Sequence, residues 1–187
     1  MVTVEAERSA ESPLDLHAEG FTHLRNFLLD EEVRLLEASV AAGPRGETLS
    51  SGRPPAASPG VHWHGFPRAH CWLPETQDQQ ASLPEICLPA LDRLRDLGIL
   101  PPGYAFDQAI VNFYAEGSEG IRMHVDRANF DDIIVGFSLG ASAVMDLEPL
   151  DTRGEDSFAS RCQHVLLEEG SVYVFSGNVR WKWKHGI

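Results

Sequence analysis

Long apolar runs are missing from this 187-residue sequence: it has no stretch of about 18 apolar residues, the length needed to cross a bilayer. The segment from Met1 to Ser12 also lacks an apolar stretch and contains Glu5, Glu7 and Glu11. Neither a secretory signal nor an Arg-rich transit peptide fits that composition. We therefore expect no membrane partner and a cytoplasmic and/or nuclear location.

Cysteine is also scarce, with Cys71, Cys87 and Cys162 as the full set and no CxxC spacing among them. This pattern indicates neither a disulfide framework nor a thiolate zinc site. We interpret the three residues as small buried or half-buried side chains.

Positive charge is in short supply, because 15 Lys and Arg stand against 28 Asp and Glu, a formal net charge of −13. A generally basic surface for nucleic acid is therefore disfavoured, although a local basic patch stays open. The candidates for such a patch are Arg45, Arg53, Arg68, Arg180, Lys182 and Lys184.

The length suits one domain over residues 1–187, expected to be a monomer, with residues 1–15 polar and disordered. Apolar spacing predicts helices from Asp30 to Gly43 and from Pro84 to Leu97. Later segments alternate β-branched or aromatic residues with turn residues, which predicts strands. They are 105–114, 122–126, 133–139, 143–147, 163–167, 171–175 and 180–185. Helices followed by closely spaced strands predict an α+β fold with an antiparallel sandwich or barrel.

The segment from Thr48 to Pro74 contains five prolines and no acidic residue. We interpret it as a long irregular, lid-like loop. Its Trp63, Arg68 and Trp72 are candidates for contacts with a flipped or single-stranded base. The alternative is a surface loop whose aromatic residues pack into the domain.

His124-Val125-Asp126 lies on a predicted strand, where residues i and i+2 point to one face. His185 lies on a later predicted strand. Together, His124, Asp126 and His185 supply two histidines and one carboxylate, which is the donor set of a facial iron site. His164 competes for the third position, but it is better interpreted as a surface or edge-strand histidine.

Asn112 and Tyr114 share a face of another predicted strand and could hydrogen-bond a small anion beside the metal. The alternative is a core Asn with satisfied hydrogen bonds and an aromatic neighbour.

These motifs occur in a fixed order: Asn112-Phe113-Tyr114, then Gly120 to Asp126, then Ser138-Leu139-Gly140, then Gly170 to Tyr173, then Arg180 to Ile187. The ordered series resembles the AlkB family of Fe(II)- and 2-oxoglutarate-dependent dioxygenases. Within this family, the sequence looks most similar to the branch that includes the tRNA wobble-uridine hydroxylase. Three segments carry this similarity: Phe130 to Ile134, Val144 to Leu147 and Leu83 to Cys87.

The resemblance implies a double-stranded β-helix of the jelly-roll or cupin type, with N-terminal helices. It implies that His124, Asp126 and His185 hold Fe(II) and that Asn112 and Tyr114 contact 2-oxoglutarate. No catalytic residue is implied beyond the metal ligands. In such enzymes 2-oxoglutarate is decarboxylated to succinate while a C–H bond is hydroxylated, and an N-methyl group so hydroxylated leaves as formaldehyde.

The family pattern continues beyond the distal histidine into a last strand whose arginine binds 2-oxoglutarate, whereas the sequence stops at Ile187. We expect either a truncated and poorly active chain or an inactive binding module, and favour truncation. The leading hypothesis is a dioxygenase acting on a nucleic-acid base in RNA or DNA, with tRNA favoured. A dioxygenase acting on a protein side chain is the alternative that an acidic surface tolerates better.

Overall fold

Strands make up most of the regular structure that the computed structural model describes, which comprises residues 15–42, 69–72, 85–106, 109–112, 114, 120–128, 130–150 and 162–187. The strands are β1 Phe21–Leu24, β2 Ala69–Trp72, β3 Ala109–Asn112, β4 Ile134–Phe137, β5 Ala143–Pro149, β6 Gln163–Leu167, β7 Val172–Phe175 and β8 Trp183–Gly186. All their pairings are antiparallel, in the orders β1-β7-β4, β2-β3 and β6-β5-β8.

Both predicted helices are present. α1 covers Asp30–Ala42, and α2 covers Leu88–Asp96 after a 3₁₀ turn at Glu85–Cys87. Gly98 follows α2 with φ +71°, a left-handed conformation that glycine adopts without strain and that stops a helix.

β7 separates two hydrophobic cores because its side chains alternate between the faces of its sheet. Val172 and Val174 pack with α2 residues such as Leu91 and Leu94. Phe175 packs on the opposite side, in a cluster to which β5 and β8 also contribute. The cluster consists of Phe21, Met145, Leu147, Leu167, Phe175, Val179 and Trp183. The helices therefore cover one face of the β1-β7-β4 sheet, and the second sheet covers the other.

An ion pair links the two helices. Both guanidinium nitrogens of Arg93 donate to the Glu32 carboxylate at 2.6 Å, and the Leu29 N–H donates to the same carboxylate at 2.9 Å. The Glu32 side chain is nearly buried. These hydrogen bonds lower the pKa of Glu32 below its usual range although burial opposes them.

The structure differs from the sequence predictions at β1, at β2 and at residues 180–182. β1 and β2 were not predicted as strands, and β2 falls inside the 48–74 segment that was expected to be irregular. Residues 180–182 were predicted as part of a strand, but they belong to a short helix, α3, at Gly177–Lys182. Long-range contacts select this helix, because the Val179 N–H donates to Glu19 and the Arg180 side chain is bound to a distant loop.

None of the helices in the described ranges is long and apolar enough to cross a bilayer. The expected disorder of residues 1–14 and the lid-like path of the 48–74 segment, apart from β2, fall outside the described residues.

Candidate metal centre

His124, Asp126 and His185 converge, as predicted. One ligand atom from each lies within 4.8 Å of the others. The Nε2 atoms of His124 and His185 are each 3.5 Å from a carboxylate oxygen of Asp126, one on Oδ1 and the other on Oδ2. The histidine ring centroids are 4.4 Å apart. The carboxylate therefore stands between two imidazole nitrogens that can share one ion with it.

The backbone that carries His124 is a bulged edge and not the predicted strand over 122–126. His124 and His185 exchange both backbone hydrogen bonds, at 2.9 and 2.8 Å. Ile121 and Ile187 do the same, at 2.8 and 3.0 Å. Residues 122 and 123 thus lie opposite Gly186 alone, which is the geometry of a β-bulge. The extra residue breaks the ladder and leaves an isolated bridge between His124 and His185.

Gly186 permits this close approach. A Cβ atom there would lie 2.9 Å from the Ile121 carbonyl oxygen and 3.0 Å from the Met123 backbone nitrogen. Since real Cβ atoms do not approach backbone atoms so closely, a larger residue would push the two segments apart. The residue after the distal histidine is therefore small because the bulge lies against it.

Arg180 holds the loop that follows Asp126. Its side chain is buried, and its guanidinium donates to the backbone carbonyls of Asp131 at 2.8 Å, Phe130 at 2.7 Å, Arg127 at 3.0 Å and Asp126 at 3.3 Å. Five N–H groups in a rigid fork suit an arginine for this task. Arg180 is consequently unavailable to the local basic patch for which the sequence made it a candidate.

The hydrogen bonds of His124 set its ring in a metal-binding orientation. Its Nδ1 lies 2.8 Å from the Arg122 carbonyl oxygen, which can only accept a hydrogen bond, so Nδ1 carries the proton. In the neutral ring Nε2 carries the lone pair and faces Asp126, the arrangement found for many metal-binding histidines, whereas in the protonated ring Nε2 donates to that carboxylate. The hydrogen bond with Asp126 raises the pKa of His124, although burial opposes this.

Burial has the dominant effect on His185 and lowers its pKa to about 4, although the Asp126 charge raises it. The imidazole is therefore neutral near pH 7, as a metal ligand must be. Burial would raise the pKa of Asp126, but its hydrogen bond with His124 and the charges of the histidines and Arg180 outweigh that effect and lower it. His185 and Asp126 thus present one neutral nitrogen and one carboxylate, and His124 supplies the second nitrogen when a metal displaces the proton that Asp126 favours on its ring.

Asn112 ends β3, and Tyr114 follows it beside the predicted ligands. Burial raises the pKa of the Tyr114 phenol, a hydrogen bond with the Asn112 side chain lowers it, and the Asp126 charge raises it. Burial has the largest effect on the pKa of Tyr173 and raises it. The charges of Asp126 and Tyr114 raise it further. The sequence did not single out Tyr173 as a site residue. The available signal was its position two residues from Phe175, which places both side chains on the same face of β7.

Other predicted residues lie elsewhere. His164 is on an exposed part of β6, as the surface interpretation predicted. Lys184 pairs with Glu148 at 3.6 Å. Trp63 and Arg68 fall outside the described residues, and only the backbone of Trp72 is described.

Comparison with known proteins places this arrangement in a family. Residues 20–187 match the 2OG-Fe(II) oxygenase superfamily. The mouse (Mus musculus) protein tRNA (carboxymethyluridine(34)-5-O)-methyltransferase ALKBH8 is 33% identical over 106 residues, which are 56% of this chain and 14% of that protein. The uncharacterized protein L905 of Acanthamoeba polyphaga mimivirus is 32% identical over 85 residues, which are 43% of this chain and 36% of the viral protein.

The solved structure of OsALKBH1 has a similar fold, with a TM-score of 0.57, 22% sequence identity, and coverage of 89% of this chain and 84% of that one. This likeness confirms the α+β jelly-roll architecture. Because the family match extends over most of the sequence, the chain belongs to the 2OG-Fe(II) oxygenase superfamily, as an AlkB-like member.

Proposed function

We propose that this chain is an Fe(II)- and 2-oxoglutarate-dependent dioxygenase that hydroxylates or oxidatively demethylates a nucleic-acid base, with tRNA as the favoured substrate class. The observation that carries the proposal is the convergence of His124, Asp126 and His185 in a chain of the 2OG-Fe(II) oxygenase superfamily.

The donor set and its geometry fit Fe(II). Six-coordinate bonds of about 2.1 Å at right angles would hold adjacent donor atoms about 3.0 Å apart. The two imidazole nitrogens are 3.5 Å from the Asp126 oxygens, so small side-chain movements would bring all three onto one ion. Two histidines and one carboxylate on one face leave further positions for a co-substrate and O2.

Asn112 and Tyr114 are proposed to contact 2-oxoglutarate. The two side chains are hydrogen-bonded to each other, and the Tyr114 phenol lies close enough to Asp126 for the carboxylate charge to affect its pKa. A phenol and an amide supply donors to a co-substrate carboxylate. When bound, iron and 2-oxoglutarate would supply, with O2, the oxidising chemistry that converts a C–H bond to C–OH: one oxygen atom of O2 would enter the hydroxyl group and the other succinate, with release of CO2.

The substrate class is supported by a relative and by one segment of the sequence. The mouse relative is named as a tRNA methyltransferase, and the acid-free 48–74 segment offers Trp63, Trp72 and Arg68 for stacking and phosphate contact. The net charge of −13 acts against general RNA affinity, so local contacts must outweigh it. A protein side chain is the alternative substrate that this charge favours.

Iron binding is tested by anaerobic Fe(II) titration of the chain and of Asp126→Ala. We expect one equivalent of iron in the parent and none in the variant, because the variant lacks the Asp126 carboxylate, one of the three proposed ligands. Asp96→Ala, an exposed change at the end of α2, is the matched control and should bind iron normally. Unchanged iron affinity in Asp126→Ala would refute the proposed centre.

Substrate class is tested by RNA binding at low salt with Trp63→Ala, Trp72→Ala and Arg68→Ala. Each aromatic change should weaken binding by the about 1–3 kcal/mol typical of base stacking without altering iron binding. Arg68→Ala should reduce the salt dependence of affinity. If the iron-loaded chain binds no RNA, the nucleic-acid assignment fails and protein substrates take its place.

A further inference from the structure

A second cluster of metal-ligating side chains lies on the sheet formed by β6, β5 and β8. One ligand atom each from Asp146, Cys162 and His164 lies within 4.8 Å of the others. None of these residues belongs to the His124, Asp126 and His185 centre. The spacing of the cysteines gave no indication of this cluster, because Asp146 lies on β5, His164 on β6 and Cys162 immediately before β6.

Strand register brings these residues to one face. Asp146 on β5 is the direct partner of His164 on β6. Cys162 lies immediately before β6, two residues from His164, and its sulfur lies within 4.8 Å of the ligand atoms of His164 and Asp146. Their neighbours Met145, Leu147 and Leu167 are buried on the opposite side, in the core between the sheets. The cluster therefore occupies the outer face and does not open into the iron centre.

The cluster is accessible and negatively charged. His164 Nδ1 lies 2.6 Å from Asp146 Oδ1, with side chains 67% and 46% exposed. An exposed pair of this kind contributes little to stability by itself. Burial, followed by the charges of Asp146 and Glu148, raises the pKa of the Cys162 thiol, while a backbone hydrogen bond from Leu147 lowers it. A cation would remove the repulsion between a thiolate and these carboxylates.

We propose that Asp146, Cys162 and His164 form a zinc site with three protein ligands and one open position. Zinc accepts sulfur, nitrogen and oxygen donors in a tetrahedral arrangement, and the thiolate distinguishes this site from the nitrogen and oxygen donors of the iron centre. Bonds of about 2.0 Å to nitrogen and oxygen and about 2.3 Å to sulfur place donor atoms about 3.3–3.6 Å apart. The His164 and Asp146 atoms are 2.6 Å apart, closer than that range, and all three ligand atoms lie within 4.8 Å of one another, so side-chain rotations are needed to complete the site.

The bound ion joins β6 to β5. β6 pairs only with β5 among the described strands, and β5 pairs on its other side with β8, which carries His185. A metal clip across the β5–β6 pair therefore stabilises an edge of the sheet that supports the distal histidine. With water in the open position, the proposed effect of the ion is to stabilise this sheet edge, and that effect does not depend on turnover at the iron centre.

Cobalt(II) is the probe that separates the two centres. A thiolate bound to cobalt gives a charge-transfer absorption band, whereas the imidazole and carboxylate donors of the iron centre do not. Anaerobic titration of the reduced chain should produce this band, and Asp126→Ala should retain it. Cys162→Ser should abolish the band and weaken zinc binding in an Asp126→Ala background at least about 100-fold, measured by competition with a chromophoric chelator.

Matched variants make the result decisive. Cys87→Ala removes a buried thiol from the helical core and should leave the band intact. His164→Ala should weaken zinc binding while retaining the thiol, which tests the site without loss of the sulfur. Absence of the band in the parent chain, or its persistence in Cys162→Ser, would overturn the proposal.

Discussion

Replacing Arg180 with lysine tests whether this buried guanidinium holds the loop after Asp126. The arginine donates hydrogen bonds to four backbone carbonyls. A lysine ammonium has three donors in a different geometry and cannot reproduce the planar fork. At least two carbonyls should therefore lose their donor, at about 1.5–3 kcal/mol for each hydrogen bond to a charged group.

Partial relaxation of the loop offsets some of this loss, because Arg127 and Asp131 are exposed residues and a loosened loop can turn their carbonyls toward water. We expect Arg180→Lys to lower the free energy of unfolding by about 2–4 kcal/mol. Proteins of this kind have total stabilities of about 5–15 kcal/mol, so the variant should still fold. Loosening the loop should also weaken Fe(II) binding about 10-fold or more, as is typical when a partner of a metal ligand is changed.

Urea denaturation of the iron-free chain and anaerobic iron titration measure the two effects. Arg95→Lys is the matched control, since Arg95 also donates to a backbone carbonyl, that of Tyr104, but from a partly exposed position on α2. It should lose less than about 1 kcal/mol and bind iron normally. Unchanged stability in Arg180→Lys would refute the role of the guanidinium, and lost stability with unchanged iron affinity would refute its link to Asp126.

Two other substitutions test the fold around the site. Glu32→Gln removes the charge paired with Arg93 and should cost about 2 kcal/mol in denaturant unfolding. Because folding lowers the pKa of Glu32, its stabilisation is present above the unfolded value near 4.5 and is lost as pH falls through the lower folded value. The variant should therefore lose less stability on acidification than the parent, and equal acid sensitivity would contradict this account. Gly186→Ala should separate β8 from the bulge, lowering the free energy of unfolding by about 1–3 kcal/mol and weakening iron binding. An unchanged free energy of unfolding and an unchanged iron affinity would show that the bulge accommodates the added methyl group.

Local sequence patterns were sufficient for the helices and for the members of the candidate iron centre. The spacing of apolar residues predicted α1 and α2 because a helix repeats its buried face every three to four residues. His124, Asp126 and His185 could be selected by type and order, since two histidines and a carboxylate are a recognisable donor set. Their convergence in the structure agrees with that selection.

Tertiary structure alone decided how the backbone presents those residues and what surrounds them. The bulge at residues 122–123 depends on pairing with Gly186 more than 60 positions later, which no local pattern encodes. Arg180 lies in a helix and is buried because four carbonyls of a distant loop accept its hydrogen bonds. Asp146 lies near Cys162 and His164 only because of the register of β5 with β6. Sequence periodicity specifies which side of an element is buried, whereas register between elements is set by the packing of the whole domain.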